Sequence, residues 1–463
     1  MKIKELIKQD AGFQYIIDNM EFMSSAGRRA MLNAPFRTNA AELQAEWDRL
    51  DRVIAAMQLP DNKRAYVDLR HCLMQLHDLQ GTLASLANHT TLNEVELFEI
   101  KNLAQITSKA TVAIAALRLG DVLPLPNIDD VFALLDPDHT GMANFYIYDT
   151  YDPSLTPLRR ELKNLQEHGG DPARIGELTA QQNDIQQRVC TELSDKLHTR
   201  HADISTALEQ MAYADFLLAK AELASTLSLV RPRLGDRVRL RGLVNPRLKK
   251  HNEEIGQRYQ PVDIDVTSGV TLITGANMAG KTVLLKSIGT VQLMAQCGFF
   301  VPAQEAETMI FDAVATSIGD EQNEMNGLSS YASEIIKISD IVRRSRSERL
   351  LALIDEPART TNPVEGKALV QSIITIMEQA HSVCLITTHY SQLGSRCRRL
   401  RVRGFVEDMA NVPLSPLNIN RFIDYSLTED QSDNVPHEAL RIASILGCDE
   451  QLIGIAQQNI NQQ

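Results

Sequence analysis

Residues 269–289 read GVTLITGANMAGKTVLLKSIG. A short apolar run meets a loop bounded by Gly275 and Gly280, and Lys281-Thr282 then opens a helix-forming stretch. The spacing is G-x-x-x-x-G-K-[ST], which requires a buried strand, a tight glycine-permitted turn and a helix whose N-terminus faces the turn. Such a turn aims backbone N–H groups and the positive end of the helix dipole at an anion, above all a phosphate. The spacing predicts that Gly275, Ala276, Asn277, Met278, Ala279, Gly280, Lys281 and Thr282 line a nucleotide-phosphate site. Lys281 would neutralise the β- and γ-phosphates, and Thr282 would offer its hydroxyl to Mg²⁺.

Two further apolar runs fit the same sheet. RLLALIDEP (349–357) and HSVCLITTH (381–389) look like strands buried on both faces, each ending in polar residues. A carboxylate at the end of such a strand, Asp355, needs a cation or hydrogen bonds. A magnesium shell, reached through water, would supply them. Glu356 follows directly and is placed to orient or deprotonate an attacking water. His389, after Thr387 and Thr388, is placed to hydrogen-bond a γ-phosphate. Strand–helix–strand order with functional residues at the strand ends implies an α/β layer whose loops converge at the carboxyl ends of the strands.

Upstream of about residue 245 the pattern is helical. AELQAEWDRLDRVIAAM sets Leu43, Trp47, Leu50, Ile54 and Met57 on one stripe, which reads as packing. Asp152-Pro153 marks a turn, with Ser154 or Thr156 as caps of the next helix. From about 155 to 200 the chain is polar and helical, an arm or an antiparallel pair. The expected division is therefore an all-helical core/lever domain over 1–245 and an α/β P-loop domain over 246–463, an α + α/β fold.

The net charge of −12 disfavours a strongly nucleic-acid-binding surface, although charge can be local. Six scattered cysteines without a C-x-x-C pair fit buried thiols in a reducing compartment, so a cytoplasmic location is expected. No stretch has the length and apolarity of a membrane span, and MKIKELIKQD does not read as a secretory signal. The basic run SRCRRLRVRGF (395–405) could contact a phosphate backbone, but its alternation equally fits an edge strand with a solvated charged face, the reading favoured here.

Together these segments resemble the MutS family of ATPases. Asn277-Met278 inside the phosphate loop is more specific than the general spacing, and the family's loop reads T-G-P-N-M-G-G-K-S-T. CGFFVPAQEAE resembles the family's G-x-(F/Y)-V-P-A segment, and TTHY its T-H-(Y/F). EMNGLSSYASEI places Gly327, Ser329, Ser330, Tyr331 and Glu334 on the pattern S-G-x-S-T-F-x-x-E. MSSAGRRAMLNAPF resembles the entry to the family's helical core. Pro357, Ala358 and Thr360 depart from the Ile/Leu, Gly and Gly usual after the Asp-Glu pair.

The resemblance implies an ABC-type P-loop ATPase that uses ATP and Mg²⁺. It implies a dimer, with itself or a MutS-like paralogue, in which Ser329 reaches the partner's γ-phosphate in trans and C-terminal helices support the contact. It further implies coupling of ATP turnover to DNA in mismatch repair or recombination. Neither the family's mismatch-reading domain with its Phe-x-Glu wedge nor its connector domain is recognisable in this chain, which is read as opening in the helical core. A second resemblance, to the short MutS-like reactivases of adenosylcobalamin-dependent aminomutases, implies a protein client and no DNA.

Overall fold

The structure is a computed structural model that describes residues 1–142, 144–276, 279–319, 330–391, 393, 397–405, 422–430, 440, 443 and 447–461. It forms two compact units. One comprises residues 1–19, 35–47 and 223–463, and the other residues 20–34 and 48–222.

Among its described residues the first unit contains ten strands: β1 (Arg233–Leu234), β2 (Val238–Leu243), β3 (Val262–Val266), β4 (Gly269–Thr274), β5 (Glu305–Thr308), β6 (Ala313–Ser317), β7 (Leu350–Asp355), β8 (Val383–Thr387), β9 (Arg398–Phe405) and β10 (Ile423–Glu429). They make a four-stranded sheet, β1-β5-β2-β3, and a six-stranded sheet, β10-β9-β4-β8-β7-β6. In the larger sheet β9, β4, β8, β7 and β6 are mutually parallel, and β10 runs antiparallel on the outside of β9. β4, β7 and β8 are buried along nearly their whole lengths, as their uninterrupted apolar sequences require of strands covered on both faces. Register pairs Ile273 with Thr387, and Thr387 with Asp355. The three strand ends therefore lie side by side, and the loops that leave them emerge together.

The helix Lys281–Gln296 is buried over most of its circumference, polar residues included. Gln296 explains how: its amide donates to Arg37 O and Phe311 O, both at 2.8 Å. Residues from the chain's beginning complete this unit. Phe13 meets Phe299 edge-on at 6.1 Å, Asp10 accepts from Thr290 Oγ1 at 2.8 Å, and Trp47 Nε1 donates to Ala295 O at 3.2 Å. The stripe read on Ala40–Gln58 buries Leu43, Trp47 and Leu50. Val53 and Ala56 are buried further along, where Ile54 and Met57 are only half-covered.

The second unit is helical among its described residues. The polar stretch forms two helices, Leu155–Glu167 and Pro172–His198, joined by four residues and packed on each other. Neither Ser154 nor Thr156 caps the first. Their hydroxyls donate instead to Asp152 and Asp149, carboxylates that compete for them within the preceding turn. A charged cluster sits in the core of this unit. Lys101 Nζ donates to Asp136 Oδ1, Tyr148 OH and Asn144 O, each at 3.0 Å. Desolvation raises the Asp136 pKa, but bonds from Gly141 N–H, Thr140 and Lys101 outweigh it and hold the carboxyl at about 2.

The basic run behaves differently from the edge strand expected. β9 is flanked by β4 and β10, so it is interior to the sheet. Two of its arginines are matched by the strand that covers it: Arg398 Nη2 lies 2.5 Å from Glu429, and Arg403 Nη1 3.5 Å from Asp424.

Candidate functional site

At the carboxyl ends of β4, β7 and β8 the structure gathers the charged residues of three loops. β4 delivers Gly275 and Ala276. Gly275 has φ +138°, and a Cβ there would meet the Val402 side chain at 3.2 Å. Gly280 has φ +76° and forms the left-handed cap of the Lys281–Gln296 helix; a Cβ on it would reach the Tyr425 ring at 3.1 Å. Both positions demand glycine for conformation and for space. Ala279 N–H donates to Ala276 O at 3.0 Å and closes the turn. Asn277 and Met278 lie outside the described residues, as does Ser329.

Lys281 is almost completely buried. Its ammonium donates to Gly275 O at 2.7 Å and Ala276 O at 3.0 Å, and stands 3.4 Å from Glu356 Oε1. Burial pulls its pKa below the ordinary lysine value, against the opposing pull of Glu356. Glu356 is also paired with Arg359, Nη1 to Oε2 at 3.3 Å. Its own backbone has φ +45°, unusual for a residue with a side chain.

Asp355 is shared by two hydroxyls. Thr282 Oγ1 donates to Oδ2 at 2.7 Å and Thr387 Oγ1 to Oδ1 at 2.6 Å. Thr387 Oγ1 also accepts from Glu356 N–H at 2.9 Å, so one threonine of β8 sets both acidic residues of β7. That role of Thr387 is not visible in the sequence, where it is one apolar-strand residue among several. Only the parallel register of β7 and β8 reveals it. Thr282 Oγ1 and the Asp355 carboxylate are adjoining hard oxygen donors, the donor type that Mg²⁺ takes. No cluster of three or more His, Cys, Asp or Glu side chains able to hold a metal occurs among the described residues.

His389 follows β8 at the rim and is itself exposed. Partial desolvation of the ring against the protein nonetheless lowers its pKa from the ordinary histidine value; Glu356 pulls the other way, and Lys281 and Arg359 add to the lowering. Its ring stacks against Tyr390 with centroids 4.3 Å apart. Beside the glycine loop opens a mostly apolar cavity of about 240 Å³, whose walls include Tyr259, Gln260, Gly280, Val283, Leu284 and Tyr425. No motif points to this cavity, since its walls come from four separated segments. Gln260 fixes the wall on one side, donating to Asp424 at 2.8 Å and accepting from Tyr425 N–H at 3.2 Å.

Comparison with known proteins places this arrangement. The family profile described as MutS domain V matches residues 271–462. An "Endonuclease MutS2" from Geobacillus thermodenitrificans (strain NG80-2) is 36% identical over 376 residues, covering 73% of this chain and 47% of that protein. A second, from Shouchella clausii (strain KSM-K16), is 36% identical over 210 residues, 45% of this chain and 26% of that one. The "DNA mismatch repair protein MutS" of Thermus aquaticus is 30% identical over 243 residues, 52% and 29% respectively. The chain thus spans from about a quarter to about half the length of these relatives.

Proposed function

We propose that this chain, a member of the MutS family, is a Mg²⁺-dependent ATPase that couples nucleotide turnover to a conformational switch on DNA. The observation that carries the chemistry is the convergence of three strand-end loops: Asp355 is held between Thr282 and Thr387, and Lys281 sits 3.4 Å from Glu356. The triphosphate would lie along the N-terminus of the Lys281–Gln296 helix, taking over ammonium protons that now go to Gly275 O and Ala276 O. The apolar cavity beside Gly280 suits a nucleobase, with Tyr259 and Tyr425 as its aromatic walls. Thr282 and Asp355 would hold Mg²⁺, which when bound offsets charge on the β- and γ-phosphate oxygens.

Glu356 orients the attacking water and takes up its proton. His389, at the rim of the same site, donates a ring N–H to a γ-phosphate oxygen. Under the same family reading, Ser329 approaches the γ-phosphate of a partner subunit, and two ATPase domains close around two nucleotides.

For the client, the names of the matched relatives, a mismatch repair protein and endonucleases of the MutS2 type, favour DNA over an aminomutase. The net charge of −12 requires that any DNA contact be local rather than spread over the surface. The test is ATP hydrolysis by the purified chain with Mg²⁺, alone and with duplex, mismatched or branched DNA, at two salt concentrations. Turnover that DNA alters, more strongly at low salt, supports the reading. Turnover indifferent to every DNA, with no retention of DNA at low salt, contradicts the DNA part and reopens the aminomutase reading. No turnover contradicts the ATPase part.

A further inference from the structure

Two residues beyond Glu356, Ala358 adopts φ +59° and is fully buried. Glycine is the usual occupant of such a backbone; a residue with a Cβ stays there only when its surroundings over-determine it. Here both of its peptide groups are held by side chains from other elements. Glu334 Oε1, on the helix Ser330–Arg344, accepts from Ala358 N–H at 2.8 Å. Tyr390 OH donates to Ala358 O at 2.9 Å. Tyr390 is located in turn by its own N–H, which donates to Thr388 Oγ1 at 3.0 Å. Gly366 leaves the space it needs: a Cβ there would stand 2.2 Å from the Tyr390 hydroxyl and 3.0 Å from Ala358 O. Glu356 is thereby bracketed, by Thr387 on its own N–H and by this clasp two residues downstream.

We infer that Glu334 and Tyr390 are positioning residues: clasping Ala358 from both sides, they hold the left-handed Glu356–Ala358 loop so that the Glu356 carboxylate keeps its place beside Lys281. The inference rests on the ATPase reading. It assigns neither residue a contact with nucleotide, so their loss should appear in the chemical step and not in binding. It also links the segment that begins at Ser330 to the loop of the hydrolytic carboxylate through the Glu334–Ala358 hydrogen bond, so a displacement of that helix would be felt at Glu356.

The test compares kcat, KM for ATP and the affinity for a fluorescent ATP analogue in wild type, Glu334→Ala, Glu334→Gln, Tyr390→Phe and Gly366→Ala. Glu334→Ala should lower kcat by about tenfold or more while KM and analogue affinity stay within roughly threefold, since misplacing a catalytic group costs rate without costing binding. Glu334→Gln retains an oxygen acceptor for the Ala358 N–H and should recover kcat to within roughly threefold of wild type. Tyr390→Phe and Gly366→Ala reach the clasp from its other side and should also lower kcat selectively. They decide the matter if Glu334→Ala does not fold. Wild-type kcat in Tyr390→Phe and Glu334→Ala, equal losses of rate and affinity, or no recovery in Glu334→Gln would each overturn the inference. A wild type that binds and hydrolyses ATP alongside an indifferent Glu334→Ala sinks only this inference. A wild type that does neither sinks the ATPase reading and the inference with it.

Discussion

Replacing Lys281 with methionine separates what the phosphate loop needs for folding from what it needs for function. The Lys281 side chain is 3% exposed and its ammonium lies 3.4 Å from Glu356. At an effective dielectric of about 20, that separation is worth about 5 kcal/mol of attraction. Desolvating an ion costs several kcal/mol, which opposes that attraction and lowers the Lys281 pKa from its ordinary value. In the folded protein the two effects largely cancel. Methionine fills a similar volume and removes the charge. What is lost is the donor to Gly275 O and Ala276 O, while Glu356 keeps Arg359 at 3.3 Å. These effects nearly offset, so the unfolding free energy should stay within about 2 kcal/mol of wild type. Nucleotide affinity should not survive in the same way. A charge-assisted hydrogen bond to phosphate contributes about 1.5–3 kcal/mol, and its loss should weaken ATP binding roughly 10- to 150-fold. Chemical denaturation and titration of a fluorescent ATP analogue measure the two quantities on one preparation. Wild-type affinity in Lys281→Met would refute the phosphate role. A destabilisation well beyond about 3 kcal/mol would show that the ammonium is a structural keystone instead.

Two further predictions concern groups outside the phosphate loop. Lys101→Met strands Asp136 in the helical core and should cost about 3–5 kcal/mol by denaturant unfolding, with part recovered on adding Asp136→Asn. Because the folded Asp136 pKa is lowered to about 2, its stabilising contribution is present above the ordinary carboxylate value and is lost as pH falls from about 4 through about 2. Stability that shows no such loss attributable to Asp136 would contradict the assignment. Asp10 has the opposite sign. Burial raises its carboxyl, despite bonds from Phe13 N–H and Thr290, so its contribution is greatest below the ordinary carboxylate range and is lost as pH rises through the folded value. Asp10→Asn keeps an acceptor for the helix cap and should match or exceed wild-type thermal stability at pH 7, with the difference narrowing as pH falls toward about 4. A lower midpoint at pH 7 would contradict it.

What the sequence disclosed follows the range of each physical signal. The strand–loop–helix around Lys281 is local, and its glycine spacing, apolar run and Lys-Thr pair are readable from adjacent residues. The buried strands ending at Asp355 and Thr387 were legible for the same reason, since an uninterrupted apolar run reports burial on both faces. Periodicity reports that a face is buried but not against what. Phe13, Arg37 and Trp47 therefore looked like parts of a helical N-terminal half, whereas their partners Phe299, Gln296 and Ala295 belong to the unit that carries the sheets. The arginines of β9 looked like an exposed edge because their matching carboxylates, Asp424 and Glu429, arrive on a strand some 25 residues later. Long-range pairing also hid the joint hold of Thr387 on Asp355 and Glu356, and the clasp of Glu334 and Tyr390 on Ala358. The family's pattern does place an acidic residue at 334, but only coordinates connect it to the loop after Glu356.

The most direct test of the central claim is single-turnover ATP hydrolysis by Glu356→Gln with Mg²⁺ present, beside its equilibrium affinity for ATP. The amide keeps the size and the hydrogen-bonding oxygen of the side chain but cannot take a proton from water. ATP affinity near that of wild type with hydrolysis slowed by about a hundredfold or more is the predicted result. Hydrolysis at the wild-type rate in that variant would contradict the account.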